Sequence, residues 1–320
     1  MLQSLTKHSA STDRHESDEL LLQILKQARR ERRGAAATKR LVRCVWGASF
    51  DLLSGLLHES RILGEQFVGS EYDRARTSND TVFYVLMHLH ANACLIASEV
   101  VSLLELGHAG GAIARWRTLY EVNIYAAFIL KHGAKTAERY IRHMHVKDSE
   151  DLPSVDAALK AAGAEGFSSA EREALAELNS QLLKRYGENF HGGFGWAKGA
   201  CGKKGRLVFS DIASDVGLGV HEMFYRAASH LVHPTWKGIL DNPGLPPDPS
   251  GEPLLAGPSD HGLWLPAELT TQSIYGATVS FLSCGPAGGR MKEIDRLANC
   301  VRLISDRLRE VRDRSTAPGS

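Results

Sequence analysis

Helical periodicity runs through nearly the whole sequence and constrains the fold more than any other feature. Apolar residues recur every three or four positions over long stretches, as at Leu86, Leu89 and Val100, whereas the alternation typical of strands is nearly absent. Ser78-Asn79-Asp80 supplies an N-cap before this stretch, and Gly107 ends it. The sequence therefore predicts an all-α protein, built as an antiparallel helical bundle.

The pattern divides the chain into an N-terminal appendage and one main helical domain. Residues 1–16 are expected to be disordered, and residues 17–70 to form N-terminal helices, one over about 18–33 and a second over about 38–67. The main helical domain is expected over 78–314. It comprises, in order, a core at 78–235, a proline-rich loop at 234–264 and C-terminal helices at 266–314.

The overall charge is nearly balanced, with 38 Lys and Arg against 37 Asp and Glu in 320 residues. This balance argues against a protein that coats nucleic acid but says nothing about local patches. The chain has no uninterrupted run of about 18 apolar residues, so the sequence predicts no membrane span. Its first residues are polar, so the sequence predicts no signal peptide. Its five scattered cysteines form no Cys-x-x-Cys pair, which predicts reduced thiols in a cytoplasm.

Two charged residues, Arg117 and Glu121, lie on a helix over 111–130 that is otherwise apolar on every side. Such a helix is expected to be buried. The two residues are one turn apart, so their charges should pair inside the protein. Two interpretations stay open: a structural ion pair, or the polar floor of an active site.

A second helix, predicted over 215–233, has two distinct faces. Its predicted core stripe is Val216, Val220, Met223, Phe224, Ala227 and Leu231. Glu222, Arg226, Ser229 and His233 share the opposite face. This face is either an ordinary solvated surface with an i,i+4 ion pair, or a site for phosphoryl chemistry. In the second case His233 acts as general acid and base, Arg226 stabilises a phosphoryl oxygen, and Ser229 and His230 orient them.

The segment 184–206 is strongly basic and carries aromatic residues. It holds six basic residues against one acidic residue, Glu188. The candidate RNA-binding residues are Lys198, Lys203, Lys204 and Arg206, with Trp196 just before them in sequence, since cations neutralise phosphates and rings stack on bases. The alternative is that the rings anchor the loop to the core while the lysines stay solvated.

No ligand spacing predicts a metal or nucleotide cofactor. His88 and His90, like His143 and His145, are two residues apart and point different ways on a helix. His-Glu-x-x-His, a P-loop and a Gly-x-Ser-x-Gly elbow are all absent from the sequence. The expected function therefore needs no metal and no cofactor.

Three segments together resemble an all-helical bacterial family of unknown function over about residues 80–235. They are Arg117-Thr118-Leu119-Tyr120-Glu121, the stretch from Tyr186-Gly187 to Phe194-Gly195-Trp196-Ala197, and Tyr225 to Pro234. The last segment is also similar to the Arg-x4–6-His motif of HEPN (higher eukaryotes and prokaryotes nucleotide-binding) ribonucleases. That similarity implies a HEPN-like helical core, a homodimer and metal-independent RNA cleavage in toxin–antitoxin or phage-defence systems.

The function expected from these features is a HEPN-type endoribonuclease, acting in the cytoplasm as a bacterial toxin or phage-defence effector. His233 and Arg226 would be catalytic, with RNA as substrate and a regulatory protein as a further partner. The supporting residues would be Arg117, Glu121, Tyr225, Ser229 and His230. The alternative is a non-catalytic helical sensor or scaffold that binds a small ligand or a partner protein. The enzyme is expected to bring Arg226, His233 and Glu121 into one cleft.

Overall fold

The computed structural model describes residues 2–233, 235–246, 254–285 and 290–315, and within them the side chains of residues 19–314. Every regular element in these ranges is helical, which confirms the all-α prediction. The α-helices are α1 (Leu2–Thr77), α2 (Thr81–Glu105), α3 (Ala109–His132), α4 (Ala134–Ala161), α5 (Ser169–Tyr186), α6 (Phe209–Asp215), α7 (Glu222–Val232), α8 (Trp236–Leu240), α9 (Trp264–Leu282) and α10 (Met291–Ser315). Short 3-10 helices cover Glu188–His191 and Gly219–His221.

Leu2–Thr77 form one continuous helix, α1. The predicted disordered start and the predicted break between two helices are both wrong. The break was expected at Gly34, but three alanines follow it, and the first proline of the chain is Pro153. A single glycine costs a helix only about 1 kcal/mol, which its strongly helix-forming neighbours offset.

The proline-rich loop predicted at 234–264 is only partly irregular. It contains α8, and its residues 234 and 247–253 lie outside the described ranges. The two helices predicted at 266–314 correspond to α9 and α10.

The core lies where α2, α3 and α9 meet, with α1 and α10 packed around them. Trp116 on α3 is fully buried, and its indole Nε1 donates hydrogen bonds to the carbonyl of Leu269 (3.1 Å) and to Ser273 Oγ (3.0 Å) on α9. A large ring that is also hydrogen-bonded fixes both the spacing and the register of two helices. These contacts fix the position of α3, the helix that carries part of the candidate site.

Among the described residues, α2 is the helix whose length and composition would allow it to cross a membrane. Half of its most apolar 18-residue stretch is buried inside the protein. The partners of that face are α1, α3 and α9. This is the burial of a core helix that packs on three neighbours.

A buried histidine, His90, joins α2 to α9. The hydroxyl of Thr278 donates to the carbonyl of Ile274 (2.8 Å), so it accepts the Nε2–H of His90 (3.2 Å). Gly64 on α1 makes room for the ring, because a Cβ there would come within 2.5 Å of His90 Cε1. Burial lowers the pKa of His90 from 6.5 to about 4, so the imidazole is neutral in the folded protein.

We expect His90 to make the protein less stable as the pH falls. The unfolded chain takes up a proton at this residue below pH 6.5, whereas the folded protein does so only near pH 4, so unfolding is favoured increasingly between these values. Between about pH 7 and about pH 5, His90→Gln should reduce the loss of unfolding free energy by about 2 kcal/mol relative to wild type, measured by urea denaturation.

The matched control is His88→Gln on the exposed side of α2. This variant should lose as much unfolding free energy as wild type when the pH falls. Burial also lowers the pKa values of His143 and His221, but these groups are the same in both proteins and cancel in the difference. A loss of equal size in His90→Gln and wild type would contradict the assignment.

Candidate functional site

The helix predicted over 215–233 is α7, and it begins at Glu222. Gly217 has a φ of +73°, a left-handed conformation that glycine adopts without strain, and it separates α6 from the 3-10 turn before α7. The predicted start was therefore too early. The predicted end is confirmed: α7 stops at His233, where ψ is 126° because a residue before proline avoids the helical region.

The inward face of α7 coincides only in part with the predicted apolar stripe. Val220 and Met223, two members of that stripe, are 74% and 69% exposed. Ala228 is buried instead, and Tyr225 and Ser229 contact α3 beside it. The stripe prediction is wrong for Val220, Met223 and Ala227, which are exposed, whereas its other members Val216, Phe224 and Leu231 are partly buried against the core. Hydrogen bonds to a charged group on α3 bring Tyr225 and Ser229 to the inner face as well.

That charged group is the guanidinium of Arg117, which is surrounded by Ser229, Tyr225 and Glu121. Its Nε donates to Ser229 Oγ (3.0 Å), its Nη2 donates to the Tyr225 hydroxyl (2.7 Å), and its Nη1 lies 3.1 Å from Glu121 Oε1. The guanidinium also lies 4.5 Å from the centre of the Tyr225 ring. Each nitrogen of the Arg117 fork has a partner, so the guanidinium is satisfied within this network.

Tyr225 completes the network by donating its hydroxyl proton to Glu121 Oε1 at 2.6 Å. Burial, and then the hydrogen bond to the Glu121 carboxylate, raise the pKa of Tyr225 above its ordinary value of 10, so the phenol keeps its proton. Ser229 donates to the carbonyl of Tyr225 (3.0 Å), which leaves its oxygen free to accept from Arg117. The Arg117–Glu121 pair forms as predicted, and its two side chains are partly exposed, at 26% and 22%.

The two predicted catalytic residues lie on the outer side of α7. Arg226 is 74% exposed and binds Glu222 through its Nε (3.0 Å) and Nη2 (2.5 Å). His233 is exposed at the end of the helix. His230 is less exposed, with its Nδ1 lying 3.3 Å from Thr235 Oγ1. Arg226 and Glu121 thus bind different partners, and the cleft expected to unite them with His233 is replaced by an open surface above the Arg117 network.

The basic loop has a buried centre and exposed cations around it. Trp196 is only 3% exposed and packs edge-on against Tyr125 and Tyr140, so it is not available to stack on a base. Lys198 donates to the carbonyls of Lys203 and Gly205, which shapes the loop.

The other predicted RNA-binding cations of the loop differ in whether they form an ion pair within the protein. Lys203 pairs with Asp211 at 2.6 Å. Lys204 and Arg206 are exposed. Of the five predicted RNA-binding residues, Lys203, Lys204 and Arg206 are exposed, and Lys203 is engaged with Asp211.

Arg139 on α4 is an important residue that the sequence interpretation missed. Its Nε and Nη2 donate to the carbonyls of Trp196 (2.9 Å) and Gly195 (2.7 Å), and its guanidinium lies 4.9 Å from the ring centres of Tyr186 and Phe190. It thereby joins α4 to the basic loop. The signal was the one that revealed Arg117: an arginine on the helix face that also carries buried residues, here His143 one turn later.

No group of three or more histidine, cysteine or acidic side chains that could hold a metal ion occurs among the described residues. The candidate site residues lie in the Arg117 network, on the exposed face of α7 and in the basic loop. All three lie within one continuous part of the chain.

The model of a family of unknown function, DUF5677, matches residues 83–245, just over half of the chain. The chain belongs to the DUF5677 family. No curated protein and no solved structure matches it.

The DUF5677 region runs from α2 to just beyond α8 and contains the whole Arg117 network, the outer face of α7 and the basic loop. The predicted relation to a family of unknown function over about 80–235 is confirmed. The similarity to HEPN ribonucleases stays a prediction. All of α1, together with α9 and α10, lies outside the DUF5677 region.

We expect Tyr225→Phe to loosen α7 without removing its apolar contacts. The variant keeps the ring over Arg117 but loses the hydroxyl that bonds Glu121 and Arg117. Hydrogen bonds to charged groups contribute more than neutral ones, so the unfolding free energy should fall by about 2 kcal/mol. Denaturation with urea measures this change, and Tyr275→Phe on α9, outside the network, is the matched control. Equal stability of Tyr225→Phe and wild type would show that the network does not hold α7.

Proposed function

We propose that this DUF5677 protein is a HEPN-type endoribonuclease whose reacting groups are Arg226 and His233. The observation that carries the proposal is that both side chains are exposed along one helix, while the Arg117 network fixes that helix from beneath. Because Arg226 and Glu121 do not share the expected cleft, the proposal places the RNA strand on the exposed side of α7. Glu121 then supports the site through Tyr225 and does not contact the RNA.

The proposed reaction is an internal transfer at phosphorus. The imidazole of His233 removes the proton of a ribose 2′-hydroxyl, and that oxygen bonds to the adjacent phosphorus. The bond from phosphorus to the 5′-oxygen breaks, and the proton passes from His233 to this leaving oxygen. The products are a 2′,3′-cyclic phosphate and a free 5′-hydroxyl. The planar fork of Arg226 stabilises the negative phosphoryl oxygens throughout.

The ion pair between Arg226 and Glu222 does not prevent this role. Exposed i,i+4 pairs contribute no more than about 0.5 kcal/mol, because water screens both charges. A phosphate that accepts two hydrogen bonds from the fork readily replaces Glu222. On this proposal the protein is an intracellular toxin or phage-defence effector, as the HEPN similarity implies.

We expect His233→Ala and Arg226→Ala each to reduce RNA cleavage by at least about 100-fold, because each removes a group that acts in the transition state. Arg226→Lys should restore little, since an ammonium lacks the planar fork. The measurement is the rate of cleavage of an end-labelled single-stranded RNA, with the 2′,3′-cyclic phosphate as the expected terminus. His261→Ala, at another exposed histidine, should cleave at the wild-type rate. Unchanged cleavage by purified His233→Ala would exclude the proposal.

We expect Lys204 and Arg206 to bind the RNA backbone beside the site. Each phosphate contact on a single strand contributes about 0.7 to the slope of log affinity against log salt. Lys204→Ala combined with Arg206→Ala should therefore lower the slope by about 1.4, measured by fluorescence anisotropy over a salt series. Lys135→Ala with Lys292→Ala removes two exposed lysines elsewhere and should leave the slope unchanged. An unaltered slope in the loop variant would exclude the loop from RNA binding.

A second candidate, a non-catalytic scaffold that binds a partner protein, is favoured by an apolar surface beside the site. Val220, Met223, Trp236, Ile239 and Leu240 are all more than half exposed. Exposed apolar residues in a group are typical of interaction surfaces. This candidate gains support if Met223→Ser and Trp236→Ser abolish binding of a co-purifying protein while Arg226→Ala and His233→Ala change no activity.

A further inference from the structure

The N-terminal part of α1 extends a buried apolar face into solvent. We refer to residues 19–40 as the arm. At 100° per residue, Leu21, Ile24 and Leu25 continue the face on which Val42 and Trp46 pack against the core. In the arm these side chains are exposed by 56%, 50% and 49%. An apolar stripe of this kind on a helix is normally covered.

The arm is also strongly basic. It holds seven basic residues, including the cluster Arg29, Arg30, Arg32 and Arg33, against Glu19 and Glu31. Two such arms would repel each other if they paired side by side. The surface that covers the apolar stripe should therefore be apolar at its centre and acidic around it.

A groove of 650 Å³ between α4 and α5 is a surface of that kind. Its apolar floor includes Val155, Phe167 and Leu175, and its rim includes Asp148, Asp151 and Glu171. Val155 is 44% exposed. The helix contacts of α5 in the described structure are with α4 and the 3-10 helix that follows α5, so this side of the hairpin is open.

The charge around the groove is opposite to that of the arm. Residues 148–177 hold eight acidic residues against Lys160 and Arg172. Long-range attraction between patches of opposite sign speeds and orients association, while the apolar contact supplies most of the affinity. Both surfaces have the same design, with apolar residues at the centre and charge outside.

We propose that the arm of one copy docks in the α4–α5 groove of a second copy. The arm cannot reach the groove of its own chain without a break in α1, which is one continuous helix whose described partners are α2, α9 and α10. In a two-fold dimer each copy offers one arm and one groove, so two equal contacts form together. The second contact is then intramolecular, which raises the affinity of the pair well above that of either contact alone. This association is independent of any RNA cleavage.

Charge reversal tests the proposal on the full-length protein. By sedimentation velocity, wild type should be a dimer whose dissociation constant rises more than about 10-fold between low and high salt. The arm variant, with Arg29, Arg30, Arg32 and Arg33 each changed to Glu, should weaken the dimer by at least about 10-fold. The groove variant, Asp148→Lys with Asp151→Lys, should do the same. Glu171 is left in place because its carboxylate caps the start of α5.

The protein that carries both sets of changes has its charges exchanged and should regain a dimer, which neither misfolding nor a different interface would produce. A monomeric wild type, or a groove variant as dimeric as wild type, would overturn the proposal. A groove variant as dimeric as wild type is the result expected if arms pair with each other or if the dimer forms through α7 and α8. Asp295→Lys with Asp306→Lys on α10 reverses two exposed charges away from both surfaces and should leave the dimer intact.

The apolar part is tested by a matched pair of leucines. Leu21→Ser lies on the stripe and should weaken the dimer by about 10-fold, the value of roughly two buried methylene groups. Leu22→Ser, one residue later, turns 100° away and should have no effect. Equal effects of the two changes would contradict docking through this face.

Discussion

The candidate site depends on one physical requirement, that the guanidinium charge of Arg117 be paired. The guanidinium projects from α3, a helix that is buried along most of its length, and a charge in that position must be paired. Glu121 alone occupies one nitrogen; Tyr225 and Ser229 on α7 satisfy the other two. The need to satisfy one cation thus selects the inner face of α7, and through it the residues that face outward.

The sequence was sufficient for the fold class and for the pairing of Arg117 with Glu121 on α3, but not for the way in which α7 packs. Hydrophobic periodicity predicts that an apolar stripe faces inward, because burial of apolar area is the usual driving force. On α7 that rule holds only in part: Phe224 and Leu231 pack against the core, but Val220 precedes the helix and Met223 faces solvent. Hydrogen bonds to a distant residue carry no sequence period, so the partnership of Tyr225 with Glu121, 104 positions earlier, could not be derived from spacing.

The basic loop shows a similar limit. The sequence shows the charge and the aromatic residues of the loop. It does not show which of these side chains are buried or bound within the protein and which are exposed. Trp196 enters the core because Arg139 holds its carbonyl and because Tyr125 and Tyr140 surround its ring. Lys198 is used to shape the loop, so composition overstated the number of cations available to a ligand. What a charged residue does depends on acceptors that the fold brings near it.

Overall neutrality conceals a strong separation of charge in this chain. The arm and the basic loop are positive, and the α4–α5 hairpin is negative, so the small net charge is a sum over unlike surfaces. Surfaces of opposite sign on one polypeptide favour contact between copies whenever the apolar residues beside them are also complementary. The groove lies inside the DUF5677 region, whereas the arm lies outside it. The region that holds the candidate site therefore supplies one half of the proposed contact, and the added helix supplies the other half.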